Sequence, residues 1–129
     1  MIKSGKLKVI IFDLDGVLIN SLKNMNYAIN QVNKEMKLNI SFTEYKKFLG
    51  LPFEIIMKKI GIKKNIEKIK KNYQKYSKQS LSKIFIKKKL LYNLKKLSKI
   101  YKIAVFTSKD KVRSNKILKK YKIFDYIVS

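Results

Sequence analysis

Cysteine and histidine are both missing from the 129-residue chain. Without cysteine there is neither a disulfide framework nor a thiolate metal site. Without histidine, any mechanism that needs an imidazole base is excluded. Proline occurs once and glycine four times, so each marks a real break in the chain. No apolar stretch approaches the length of a membrane span, and the N-terminus lacks the apolar core of a secretory signal, so a cytoplasmic location is expected. Acidic residues are also scarce, 8 against 32 basic ones, for a net charge of +24 at pH 7. Arg113 is the only arginine. Proteins that read nucleic acid lean on arginine for bidentate contacts, and the lysines here are scattered over every expected helix. Solvated helix faces account for the charge, and a basic nucleic-acid-binding protein is ranked last among the readings. Such a surface still attracts anions, phosphorylated substrates among them.

What is present is a hydrophobic content of 46%, in a chain long enough to bury a core. Leu7 to Phe12, interrupted only by Lys8, runs into Asp13-Leu14-Asp15-Gly16. A Val/Ile-rich run stopped by a turn reads as a strand, and its weak alternation suits a central parallel strand covered on both faces. Open α/β sheets place their sites at the carboxyl ends of strands, where Asp13 and Asp15 stand. Residues i and i+2 of an extended strand point the same way, so the two carboxylates share one side.

The following stretch is helical by pattern. Leu22, Met25, Ile29, Val32 and Met36 form an amphipathic seam, with Asn20 or Ser21 as N-cap. Ser41 and Glu44 form a capping box for a helix carrying Phe42 and Tyr45 inward and ending at Gly50. Pro52 suits the first turn of a third helix with Phe53, Ile56, Met57 and Ile60 on one face and Gly61 as its stop. Ile62, Ile66, Ile69, Tyr73 and Tyr76 line a fourth. These aromatic and methionine stripes read as core packing. After residue 80, Leu90, Leu91, Leu94 and Leu97 mark another helix, and Tyr101 to Phe106 a strand running into Thr107-Ser108-Lys109. Asp110 to Tyr121 is helical, and Tyr126-Ile127-Val128 begins a third short strand. Apart from the insert the order is βαβαβ, which implies a parallel sheet with right-handed crossovers.

The Asp13-Leu14-Asp15-Gly16-Val17-Leu18 stretch resembles the first motif of the haloacid dehalogenase-like hydrolases. The strand ending in Thr107 is similar to their second motif, and the helical insert lies where the helical-cap branch, the phosphoglycolate-phosphatase-like and β-phosphoglucomutase-like members, carries its cap. The resemblance implies an α/β fold: a partial Rossmann-like parallel sheet over 1–19 and 81–129, with an all-helical cap over 20–80 inserted after the first strand. Gly50-Leu51-Pro52 resembles the loop by which that cap reaches the substrate.

By the same resemblance the function is that of a magnesium-dependent phosphomonoester hydrolase acting on a small phosphorylated metabolite. Asp13 would be nucleophile and Mg2+ ligand. Asp15 would be general acid and then base, its backbone carbonyl also binding the metal. Thr107, with Ser108 after it, would bind the phosphoryl group. A carboxylate nucleophile splits a hard hydrolysis into two steps through an aspartyl-phosphate. Carboxylate and phosphate repel, hence the hard cation. Asn20 departs from the Asp that many members carry there. The family's third-motif lysine and second acidic pair lie beyond the third strand, so the chain resembles an N-terminal portion, C-terminally truncated. Lys109 is a conceivable substitute lysine that no spacing supports, and Asp110 and Asp125 stand on the wrong elements to complete the metal site. Little or no activity is therefore expected of these 129 residues alone. A non-catalytic remnant, or a phosphate- or metal-binding module, is the alternative. The first strand would offer an open edge for self-association or for a complementing chain.

Overall fold

A computed structural model describes residues 8–127. The apolar run becomes strand β1, Val9–Asp13, and the chain then turns through Gly16, whose φ of +80° is costly for any residue with a Cβ. Four helices follow: α1 (Leu22–Met36), α2 (Phe42–Lys46), α3 (Phe53–Lys59) and α4 (Ile66–Gln79). A 3₁₀ turn at Leu81–Lys83 leads to α5 (Lys88–Ser98), β2 (Lys102–Phe106) and α6 (Lys111–Lys120). A second 3₁₀ turn at Phe124–Tyr126 closes the described part. The architecture is α/β, a parallel sheet with a helical insertion after its first strand.

β1 and β2 pair in parallel with register Val9↔Lys102 through Asp13↔Phe106. Both strands therefore end on the same side, which brings Asp13 next to the loop after Phe106. Ile127 adds one parallel bridge to Ile103. Of the expected third strand over Tyr126–Val128, Tyr126 belongs to the 3₁₀ turn and Ile127 makes the parallel bridge, while Val128, like Leu7, lies outside the described residues.

The covering of β1 is corrected. Ile10 and Phe12 are half-buried, but Val9 and Ile11 are 50% and 66% exposed. Among the described residues one face and the outer edge of this strand stay open.

Buried apolar side chains gather in two clusters. One holds Met25, Ala28, Ile29 and Val32 of α1 with Tyr45, Ile56, Met57, Ile69 and Tyr73 of the other inserted helices. The second holds Leu14, Leu18 and Ile19 with Ile84, Leu94, Ile103, Ile117, Leu118 and Ile123. The chain leaves for the insertion and returns from it at one point, where Asn20 and Phe85 exchange N–H···O bonds of 2.8 and 3.0 Å.

Helix ends follow local chemistry with some departures. Ser41 Oγ accepts the Glu44 N–H at 3.3 Å, but Glu44 turns to Lys47 at 2.8 Å instead of closing the box. Pro52 is the N-cap of α3 and not within its first turn. Ile62 falls before α4, which starts after Asn65 in a left-handed conformation. Asn24 is buried between α1 and α4; its amide donates to Ser77 O (2.8 Å) and Ser80 O (3.0 Å) and accepts from Ser77 Oγ (2.9 Å).

Candidate active site

The turn after β1 is closed from within. The N–H groups of Leu18 and Ile19 both donate to Leu14 O at 3.0 Å, and Gly16 N–H donates to Ile19 O at 2.9 Å. Leu14 itself is buried and anchors the loop in the sheet cluster. Its neighbours Asp13 and Asp15 are left pointing into one cavity of about 150 Å³ between the sheet end and the inserted helices.

Each carboxylate is held differently. Leu14 N–H donates to Asp13 Oδ1 at 2.7 Å, which fixes the rotation of an otherwise exposed side chain. Asp15 is more enclosed: Ser21 Oγ donates to its Oδ1 at 2.5 Å, and Lys109 Nζ stands 3.5 Å from the same oxygen. Ser21 occupies the N-cap position of α1 without capping it, because its hydroxyl is spent on Asp15.

The loop after β2 forms the facing wall. Lys109 N–H donates to Thr107 Oγ1 at 3.1 Å, a tight local turn. Ser108 reaches across to the insertion, donating to Leu51 O at 3.5 Å. Ser108, Lys109, Gly50 and Leu51 line the cavity with the two aspartates, whereas Thr107 does not. Asp110 caps α6 by accepting Arg113 N–H at 2.9 Å, and its other oxygen takes the Arg113 Nε–H.

Burial is the strongest influence on several of these groups. It pushes the Lys109 ammonium below the usual lysine range, and the opposing pull of Asp15 does not fully restore it. It also raises the Tyr45 and, more strongly, the Tyr73 hydroxyl on the insertion side. Tyr45, Phe53 and Tyr73 pack against one another in the helical cluster and at the same time wall the cavity.

The resemblance in sequence implies a divalent cation beside the two carboxylates. Mg2+ commonly takes one or two carboxylates with phosphate and water completing its shell. The Asp13 carboxylate and the Asp15 carbonyl suit such a shell, whereas the Asp15 carboxylate is already engaged. Glu54 and Asp110 also reach the cavity, but each is bonded to a cation, Lys70 and Arg113. Among the described residues no cluster of three or more side chains could hold a metal. The residues present fit a weakly held ion completed by substrate.

Two cavity residues, Lys109 and Arg113, were not legible as a pair. Lysine is too common here for one to stand out, and Arg113 signalled only by being unique.

An open parallel sheet, a helical layer inserted after its first strand and paired carboxylates beyond the strand's end define a capped α/β protein with an acidic site at the sheet's carboxyl edge. The sequence pattern of the haloacid dehalogenase-like hydrolases matches residues 10–129, and the chain belongs to that family. Similar solved structures include a haloacid dehalogenase-like hydrolase of Streptococcus pneumoniae (24% identity, TM-score 0.81, covering 94% of this chain and 59% of that one). Others are a predicted phosphatase of Clostridium acetobutylicum (21%, 0.82, 94% and 58%) and a predicted phosphoglycolate phosphatase of Haemophilus somnus (22%, 0.80, 94% and 60%). At these identities the likeness shows the fold, a Rossmann-like core with a helical cap. The chain spans about three-fifths of the length of these relatives. No curated protein matches the sequence.

Proposed function

We propose that this chain carries the nucleophile, acid–base and cap portions of a magnesium-dependent phosphomonoester hydrolase for a small phosphorylated metabolite of the cytoplasm. In this reading residues 1–19 and 81–129 are the core and 20–80 the cap. The observation that carries it is the convergence of Asp13, Asp15, Ser108 and Lys109 with the cap loop Gly50-Leu51 on one cavity.

Asp13, oriented by Leu14 N–H, attacks phosphorus; an Asp13 O–P bond forms as the bond to the alcohol oxygen breaks. Asp15 gives that oxygen its proton. Ser21 donates to Oδ1 and keeps it an acceptor, so the mobile proton rides on Oδ2. Asp15 then takes a proton from the water that attacks the aspartyl-phosphate, releasing inorganic phosphate and restoring Asp13. Ser108 and Thr107 are placed on the loop that would hold the phosphoryl oxygens. Bound Mg2+ would supply charge neutralisation between carboxylate and phosphate.

The sparse acidic set favours a second reading, a non-catalytic phosphate- or metal-binding module. It also leads us to expect little or no hydrolysis of p-nitrophenyl phosphate by these residues alone. Trapping decides between the readings better than turnover. With Mg2+ and beryllium fluoride, the wild-type chain should give a protein-bound fluorine resonance that Asp13→Asn lacks. A resonance that persists in Asp13→Asn, or none in the wild type, would remove Asp13 as the nucleophile.

A further inference from the structure

A second cavity, about 410 Å³ against about 150 Å³ for the one that holds Asp13 and Asp15, opens where the end of α1 meets the start of α4. Its walls are set by two helix stops. After Met36 the chain turns through Lys37, left-handed at φ 54°, and the Asn33 amide clamps Ile40, donating to its carbonyl at 3.0 Å and accepting its N–H at 2.8 Å. Beyond α3, Gly61 turns at φ 91° and Ile62 N–H donates back to Met57 O at 2.9 Å. Both stops are held by hydrogen bonds, so the groove is formed before anything enters it.

The groove is apolar inside and cationic at its rim. Met36, Leu38 and Ile62 are half-buried and Ile69 is buried, whereas Lys63 and Lys64 are exposed. Neither lysine has a carboxylate partner among the described residues. Glu67, the acid in the first turn of α4, does not line the groove. The volume falls in the range of small-molecule sites, about 300–1,000 Å³. Eight residues line it, against about 20–30 a side for a protein interface, and no aromatic ring is among them to stack a base. Apolar walls with unpaired positive charge at the rim complement a small molecule with an apolar tail and one negative head.

We propose that this groove binds a medium-chain fatty acid, its alkyl tail against Met36, Leu38, Ile62 and Ile69 and its carboxylate at Lys63 and Lys64. The site is separate from the phosphoryl site and does not depend on that reading. The two share α4, whose Ile69 lines the groove and whose Lys70, Tyr73 and Gln74 line the other cavity. A reporter for each is therefore needed, and methionine provides both: Met36 lines the groove and Met25 the cavity of the two aspartates.

The test is carbon NMR of the 129-residue chain labelled at its four methionine methyls, titrated with octanoate, hexanoate, acetate and octylammonium. Octanoate should move the Met36 methyl to saturation and more than the Met25 methyl. Hexanoate should bind about tenfold more weakly for its two missing methylenes. Acetate, which lacks the tail, and octylammonium, which reverses the head charge, should leave Met36 in place at the same concentrations. Leu38→Asp should abolish the octanoate shift. Lys63→Gln with Lys64→Gln should weaken octanoate by about threefold or more. Lys88→Gln with Lys89→Gln, an equal loss of charge at exposed positions of α5, should not.

Should Leu38→Asp fail to fold, the two lysine pairs, all at exposed positions, still decide. A larger shift at Met25 than at Met36, a shift that never saturates, or octylammonium binding as tightly as octanoate would each mean an adventitious amphiphile only and overturn the proposal. So would an octanoate shift retained in Leu38→Asp, or an affinity that responds alike to both lysine pairs. A Met36 methyl that moves with protein concentration alone would give the groove to a second copy of the chain, and no shift with octanoate would remove this ligand; either result overturns the proposal.

Discussion

Lys109 Nζ lies 3.5 Å from Asp15 Oδ1, two side chains that meet only because β1 and β2 run parallel and end together. Burial outweighs the attraction and leaves the Lys109 ammonium below its ordinary pKa of 10.5. A lysine whose folded pKa is depressed costs stability while it is charged, and the cost is relieved as pH rises through that lowered value. Lys109→Met should therefore raise the urea midpoint at about pH 7 and at the same time weaken phosphonate binding. Opposed changes of that kind mark a residue kept for function. A variant that is both less stable and unchanged in binding would show Lys109 to be a structural partner of Asp15.

Asp110 supplies a pH dependence of the other sign. Burial pushes its carboxyl up, but the hydrogen bonds from Arg113 and that residue's charge outweigh it and hold the pKa below 3.8. Its stabilising contribution is then fully present above that value and is lost as pH falls through the lower folded one. Asp110→Asn, which can still cap α6, should be less stable than wild type at neutral pH and converge on it in acid. Asp110→Ala should lose about 1 kcal/mol more through the missing cap. Parallel stability curves for wild type and Asp110→Asn down to acid would refute the assignment.

The buried Asn24 amide joins α1 to α4 through Ser77 and Ser80. Asn24→Leu would leave the buried Ser77 hydroxyl without its acceptor and take one donor from Ser77 O and Ser80 O, which keep the N–H groups of Ser80 and Lys83, so a loss of about 1–3 kcal/mol is expected. Chemical denaturation measures it. A loss below about 1 kcal/mol would mean that water replaces the amide.

The open side of β1 predicts association. Val9 and Ile11 present apolar surface beside a strand edge that is unpaired among the described residues, a template for another strand. Ile11→Lys should lower the apparent mass in sedimentation at fixed concentration, with a stability change within about 0.5 kcal/mol because the position is exposed. If the wild type sediments as a monomer, the edge is protected by another means.

Periodicity and spacing along the chain determined which segments are strands and helices, and that a helical layer interrupts a parallel sheet, because apolar positions at steps of two or of three and four state which face must leave water. The alternation expected to align Asp13 and Asp15 does not apply, because β1 ends at Asp13 and it is the turn closed on Leu14 O that brings Asp15 to the same cavity. Tertiary structure alone decided what stands against them. Ser21 is a helix cap by pattern but spends its hydroxyl on Asp15, since a half-buried carboxylate is the stronger claim on it. Lys109 and Arg113 belong to the cavity because the parallel register and the cap close over them, and no local signal encodes a contact across that distance. Among the described residues the third strand shows as a parallel bridge at Ile127, placed beside Ile103 because strand pairing is settled by neighbours and not by the propensity of three residues.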